Sequence, residues 1–236
     1  MSSAWAQENQ RVLGQLTTEA KSNEITAIPE LLELLDLHGA VVTIDAMGGQ
    51  KTIAEKVVAQ GGDYILQVKD NHPTLRADLE LLFAEGMRSD CLGVQHEFTQ
   101  DVTAGHGRVE TRRLWATDEV AWYGEAAQWK GLARFICIEA IREVGDKRST
   151  ERRYYLSSLR TTPAKSLLRI IRGHWGVENG LHWCLDVSFN EDNSRIRKGP
   201  AAENFSRLRR LALNLLKKDK TFKVGPEDQG LLLGSP

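Results

Sequence analysis

The stretch from residue 40 to residue 68 constrains the fold more than any other. Ala40–Ile44 (AVVTI) is an almost continuous β-branched run that ends at Asp45, and Tyr64–Val68 (YILQV) is a second apolar run of strand length. Runs without polar alternation are the pattern of strands buried on both faces. Between them Thr52–Gln60 has helical periodicity, and Leu75–Phe83 supplies a further helix behind the second strand. Strand–helix–strand–helix order predicts a parallel sheet with covered faces. Ahead of this unit, Ser3–Ala6 and Arg11–Thr17 read as two short strands around a turn at Gln7–Gln10. Thr26–Asp36 then reads as a helix. Ile28, Leu31, Leu32, Leu34 and Leu35 form a broad apolar stripe, Thr26 is placed to cap, Pro29 falls in the first turn and Gly39 follows the end.

The character changes near Gln95. His96–Val102, Val109–Ala116, Arg134–Val144 and Arg152–Leu159 are rich in β-branched and aromatic residues, separated by Gly105-His106-Gly107, Gly124 and Gly145-Asp146. These predict antiparallel strands, as an insertion or as an extension of the sheet. Helical period returns after Pro163 with Leu167, Leu168, Ile170, Ile171 and Trp175. A last amphipathic helix spans about Ala201 to Lys218. Its periodicity predicts Phe205, Leu208, Leu211 and Leu215 inward, with Arg207, Arg209 and Arg210 on other faces. The tail from Gly225 is expected to fray.

Charge separates along the chain although the net charge is only -1. Residues 1–159 carry 17 Lys and Arg against 24 Asp and Glu, whereas residues 160–220 carry 13 against 6. The basic C-terminal quarter is suited to phosphate contact, because a neutralised phosphate releases its counterions; a solvated helix face carries the same composition. No apolar run approaches the roughly 18 residues of a membrane span. The start, MSSAWAQENQRVLGQ, lacks the basic and apolar regions of a secretory signal. The three cysteines, Cys91, Cys137 and Cys184, are odd in number and far apart, with neither metal spacing nor a disulfide framework. The expectation is a cytoplasmic globular protein.

Two places could carry chemistry. Asp45 sits where a parallel strand ends, the position at which open α/β sheets build their sites; it could equally serve the Gly48-Gly49 turn. In the run Arg172–Trp183, spacing of four sets His174, Glu178 and His182 on one helix face. Those three could hold a transition metal. Alternatively Glu178 alone gives a hard oxygen ligand to Mg²⁺, with the histidines near phosphate. A structural reading makes Trp175 and Trp183 core residues with satisfied polar neighbours. Asp186, Glu191 and Asp192, followed by Arg195, Arg197 and Lys198, suit a site handling metal and phosphate, or an ordinary charged loop. Gly105-His106-Gly107-Arg108 lacks the strand-to-helix context of a phosphate loop.

Taken in order, KSNEITAIPELLELLDLHGAVVTIDAMGGQK, GGDYILQVKDNHP, GHGRVETRR and RGHWGVENGLHWCLDVSFNED resemble insertion-sequence transposases of the DDE superfamily, in the H-repeat-associated branch. The resembling stretches reach from about residue 3 to 219. The resemblance implies an α/β, ribonuclease-H-like mixed sheet flanked by helices. It divides the chain into a core over 1–94, a β-rich insertion over 95–160, C-terminal core helices over 161–220 and a flexible tail over 221–236. It implies metal-dependent phosphodiester cleavage and strand transfer at insertion-sequence ends, on double-stranded DNA, with a homodimer as a further partner. Three carboxylates would hold two Mg²⁺ or Mn²⁺ ions, about 3.5–4 Å apart as in two-metal sites generally. Asp45 matches the second carboxylate and Glu178 the third. His174, Arg172, Arg195, Arg197 and Lys198 fall where DNA contacts are expected.

One departure accompanies the matches. The family's first carboxylate lies in an Asp-Gly-Lys sequence on the first, central strand, ahead of the Ser-Ala-Trp-Ala segment, and no Asp-Gly-Lys occurs in this sequence. The expectation is therefore an N-terminally truncated catalytic domain, unable to cut DNA alone because its metals would be under-coordinated. The alternative is a non-catalytic DNA-binding remnant that docks through its basic C-terminal helices.

Overall fold

The computed structural model describes residues 2–16, 24–45, 48–88, 95–105, 107–177, 180–181, 183–191, 193–196 and 199–218. The chain divides into two compact units, one of residues 36–171 and one of residues 1–35 with 172–236.

The first unit is a mixed six-stranded sheet flanked by helices. Its strands are β3 (Val41–Ile44), β4 (Asp63–Val68), β5 (Glu97–Gly105), β6 (Arg108–Thr117), β7 (Arg134–Val144) and β8 (Lys147–Ser157), in the order β3-β4-β8-β7-β6-β5. β3 and β4 are parallel and joined through α2 (Lys51–Ala59), as the strand–helix–strand order predicts. The other pairs are antiparallel, and β8 binds β4 directly. The four antiparallel strands therefore extend the same sheet. At the turn into β4, Gly61 takes φ +77°, which only glycine adopts without strain. At Gly62 a Cβ would lie 2.9 Å from the Leu37 carbonyl oxygen.

One face of this sheet is sealed by α4 (Ala164–His174), whose Ala164, Leu167, Leu168 and Ile171 pack on Ile65, Leu114, Ile136, Ile138 and Tyr155. Tyr154 emerges on the opposite face and stacks on Phe83 of α3 (Pro73–Arg88), ring centroids 6.1 Å apart. The start of α4 is fixed by charge. Glu97 accepts from the Ala164 amide (2.9 Å) and pairs with the buried Arg134 (2.8 Å), which also donates to the Thr162 carbonyl (2.8 Å). One carboxylate thus satisfies an orphan helix N–H and a buried guanidinium at once.

The second unit holds the hairpin of β1 (Ser2–Ala6) and β2 (Arg11–Leu16), α1 (Glu24–Glu33) and α5 (Gly199–Lys218). The turn at Gln7–Gln10 stands as the sequence predicts, with Gln10 at φ 49°. α1 begins at Glu24 rather than Thr26, so Pro29 lies inside the helix instead of in its first turn. A small apolar cluster of Leu181, Leu185 and Leu213 gathers Trp5, Val12, Val177 and Phe189 around it.

Two expectations about burial are corrected. β3 is half-buried to exposed, because among the described residues it is the edge of its sheet and pairs with β4 alone; β4, with neighbours on both sides, is the strand whose burial matches its apolar run. α5 is turned the other way from its periodicity. Phe205 (46% exposed), Leu208 (57%), Leu211 (55%) and Leu215 (61%) face outward, while Ser206, Arg210 and Leu213 are buried. Polar bonds fix that orientation. Arg210 pairs with Glu191 (3.0 Å) and donates to Ser206 and to Ser3 Oγ (3.3 Å), and Ser206 Oγ donates to Glu191 (2.8 Å). Asn214 closes a two-way bond with the Val12 backbone, 2.9 Å in each direction. Lys217 donates to the Gly180 carbonyl (2.7 Å) and lies 4.5 Å over the Trp5 ring. With the inward face committed to these partners, the apolar stripe is left outside.

Candidate active site

Asp45 follows directly on β3 and is solvent-exposed at the C-terminal end of the parallel pair. Its carbonyl accepts from the Gly48 amide (3.1 Å). Gly48 and Gly49 are buried. The turn is clamped from the segment after β4. His72 Nε2 donates to the Gly49 carbonyl (2.7 Å) and Asn71 Nδ2 to the same oxygen (3.3 Å). A carbonyl only accepts, which fixes His72 as the Nε2–H form. The edge of the His72 ring meets Trp129 at 5.3 Å. Farther along, Lys51 Nζ donates to Glu125 (2.5 Å) and to Gln128 (2.5 Å), and that bond holds the Glu125 carboxyl below the ordinary carboxylate range.

The parallel ladder ends with Ile44 opposite Leu66; Asp45 follows β3 there, and Gln67 is the next residue of β4, on the face that Ile65 turns to α4. Gln67 is 2% exposed, and among the described residues neither its Oε1 nor its Nε2 has a hydrogen-bond partner. An orphaned buried amide costs stability and calls for an explanation such as an absent ligand or ion. In sequence, Gln67 shows as the one polar break in the YILQV run. Gln67, Asn71 and His72 were all missed by reasoning from motifs, since their relation to Asp45 depends on strand register and loop closure.

The remaining candidates are placed as follows. α4 ends at His174, which is half-buried with its ring 5.8 Å from Trp175 and nearly perpendicular to it. Trp175 lies in a turn, and the chain is π-helical over Cys184–Ser188, so regular spacing of four does not run through the whole segment. Arg172 is exposed in the last turn of α4, and Arg195 is exposed. Glu178, His182, Asp192, Arg197, Lys198 and the tail from residue 219 lie outside the described residues. Glu191 is engaged by Arg209 (3.6 Å) and Arg210, a structural role. Among the described residues no three His, Cys, Asp or Glu side chains gather to hold a metal ion, and no helix is long and apolar enough to cross a membrane.

A mixed α/β sheet with an acidic residue at the end of a parallel strand is an arrangement shared by many enzyme folds, and the sequence identifies the family. Residues 1–215 match the family described as "Transposase DDE domain", and the chain belongs to it. It is 45% identical over 229 residues to "Putative transposase YncI" of Escherichia coli O157:H7, a match that takes in 95% of this chain and 58% of that protein. It is 42% identical over 230 residues to "H repeat-associated putative transposase YhhI" of Escherichia coli strain K12, over 94% and 59% of the two chains. The chain thus spans somewhat under three-fifths of the length of these relatives.

Proposed function

We propose that this chain is the catalytic core of a DNA transposase, acting on phosphodiesters at insertion-sequence ends, in the cytoplasm and together with a second copy. The observation that carries the reading is Asp45, an exposed carboxylate at the end of β3 shortly before the Gly49 carbonyl that His72 holds, within a chain of the transposase DDE domain family. Asp45 and Glu178 are the carboxylates that would hold Mg²⁺ or Mn²⁺. The donor chemistry fits a hard cation: carboxylate oxygens, with the Gln67 amide oxygen, unpaired among the described residues, one step past the end of the parallel ladder. What divalent ions supply in such a site is activation of the attacking oxygen and neutralisation of the leaving one. The chain's own contribution is position. His72 and Asn71 hold the Gly49 carbonyl in the segment after Asp45, and Arg134 with Glu97 sets where α4 begins.

With no Asp-Gly-Lys sequence in the chain, we infer that it does not cut DNA alone, since positioning by a full ligand set is most of such catalysis. The test is a Mg²⁺- or Mn²⁺-dependent nicking assay on element-end DNA with Glu178→Ala as control. Robust nicking abolished by that substitution overturns the inactivity, and absence of nicking with the isolated chain supports it.

The surplus of basic residues over 160–220 favours a second reading, a DNA-binding remnant. His174, Arg172, Arg195, Arg197 and Lys198 would be its phosphate contacts. It requires duplex affinity that falls steeply with salt and survives Asp45→Ala. Affinity indifferent to salt rejects it.

A further inference from the structure

Two glycines bracket the segment that carries Glu178, and backbone conformation explains neither. Gly173 and Gly180 both lack a positive φ, so what each supplies is room for a close approach. Gly173 is buried in the last turn of α4, where alanine would favour the helix. A Cβ there would overlap the side-chain amide of Gln7, in the turn between β1 and β2. At Gly180 a Cβ would lie 3.1 Å from Cζ2 of Trp5, on β1. The same hairpin holds residues between and beyond the two glycines. Val177 and the fully buried Leu181 belong to the apolar cluster that takes in Trp5 and Val12. Lys217 of α5 fastens the far end. It donates to the Gly180 carbonyl (2.7 Å), and its ammonium lies 4.5 Å over the Trp5 ring, a cation–π contact. The chain is thus held at Gly173 and Val177 before Glu178, and at Gly180 and Leu181 after it.

We infer that Trp5 and Gln7 are positioning residues for Glu178: the hairpin grips the chain on both sides of that residue and so sets where its carboxylate stands toward a divalent ion. This rests on the reading of Glu178 as a metal ligand. The part of Trp5 and Gln7 is indirect. Partners outside a ligand set commonly orient the ligands within it, and losing one costs metal affinity even though no ligand is touched. Packing alone would predict something else. A contact that only stabilises the unit changes the melting temperature, and metal affinity follows it. A contact that positions a ligand changes affinity while the melting temperature holds.

The test is Mn²⁺ titration of the whole chain, read by the relaxation of bulk water, beside thermal melts. Gly173→Ala displaces the Gln7 amide, the movable end of a flexible side chain, and brings in a better helix former, so the melting temperature should hold or rise. Mn²⁺ affinity should nonetheless fall by roughly tenfold. In a Gln7→Ala background Gly173→Ala should bring no further loss, because both changes remove the same contact. Gly180→Ala should weaken binding by a similar factor. Adding Trp5→Phe, which withdraws the ring carbon nearest Gly180, should recover most of it. Glu178→Gln is the reference. If it loses affinity while Gly173→Ala and Gly180→Ala keep it, the positioning role is overturned and the metal reading stands. If Glu178→Gln itself leaves affinity unchanged, both fall. Affinity that drops only in step with the melting temperature, or that Trp5→Phe does not recover, means packing alone and overturns the proposal.

Discussion

In the unit of residues 36–171 the helices α2, α3 and α4 bury their apolar stripes, whereas in the other unit the longest helix buries a polar stripe and exposes its leucines. The sheet unit has a broad surface to cover, and non-directional burial orients its helices. Among the described residues α5 meets a small apolar cluster in the hairpin unit, and it is oriented by directed bonds from Glu191, Val12 and Gly180. The difference shows two ways of orienting a helix. Apolar burial leaves a polar exterior, whereas polar docking leaves apolar surface exposed.

The sharpest break of that comparison comes from truncating large side chains in each unit. Phe135, fully buried in β7, should cost about 3–5 kcal/mol when changed to Ala. Leu215→Ala should stay within about 0.5 kcal/mol at concentrations where the chain is monomeric. Denaturant melts measure both. Equal losses would mean that α5 is buried by the rest of the chain after all.

Alkaline pH should act on the two units with opposite sign. Burial pushes the Cys137 thiol and the Tyr155 hydroxyl up to about 12. In the unfolded chain they lose their protons near pH 8.5–10. The unfolded state then binds fewer protons, so sheet stability falls as pH rises from about 9 towards 12, by on the order of 4 kcal/mol for Cys137 alone. Burial lowers the Lys217 ammonium. There the unfolded state holds the proton longer, and docking of α5 strengthens as pH rises towards the ordinary lysine range. Hydrogen exchange resolved by segment across pH 8–11 separates the two. Parallel weakening of β1–β2 and β7–β8 would refute the assignment.

Much of this contrast was legible in the sequence, but not all of it. β3, α2 and β4 follow from the AVVTI and YILQV runs around a helical stretch, and the four antiparallel strands from β-branched residues between glycine turns. Asp45 follows from the strand end. The exposure of β3 could not be read, because an edge strand and a central one share the same composition, and only pairing tells them apart. The orientation of α5 was misread because its determinants are distant: Ser3 lies 207 residues from Arg210 and Val12 lies 202 from Asn214. Hydrophobic period reports what a helix can bury, not which face the rest of the chain has engaged.

The polar docking of α5 can be tested through one amide. Asn214→Ala removes both partners of the Val12 backbone at the outer edge of β2. The expected cost is about 1–3 kcal/mol, more than for Leu215→Ala, which reverses the usual ranking of apolar over polar truncations. A smaller cost for Asn214→Ala than for Leu215→Ala would return α5 to ordinary amphipathic packing.

The smallest effect expected has the opposite sign and bears on the candidate site. Gln67 is a buried polar residue of the sheet unit whose two amide atoms have no partner among the described residues. Gln67→Leu keeps nearly the same volume and removes two unsatisfied polar atoms, so it should stabilise the fold by about 1 kcal/mol. A stabilising change there would show that the native amide is not required for packing. If it serves the chemistry at Asp45 instead, Gln67→Leu should weaken Mn²⁺ binding, read by the relaxation of bulk water, while the melting temperature rises. Asp45→Asn should weaken the same binding without the rise. Were Gln67→Leu to destabilise the sheet, the amide would have partners there and the link between Gln67 and Asp45 would fall.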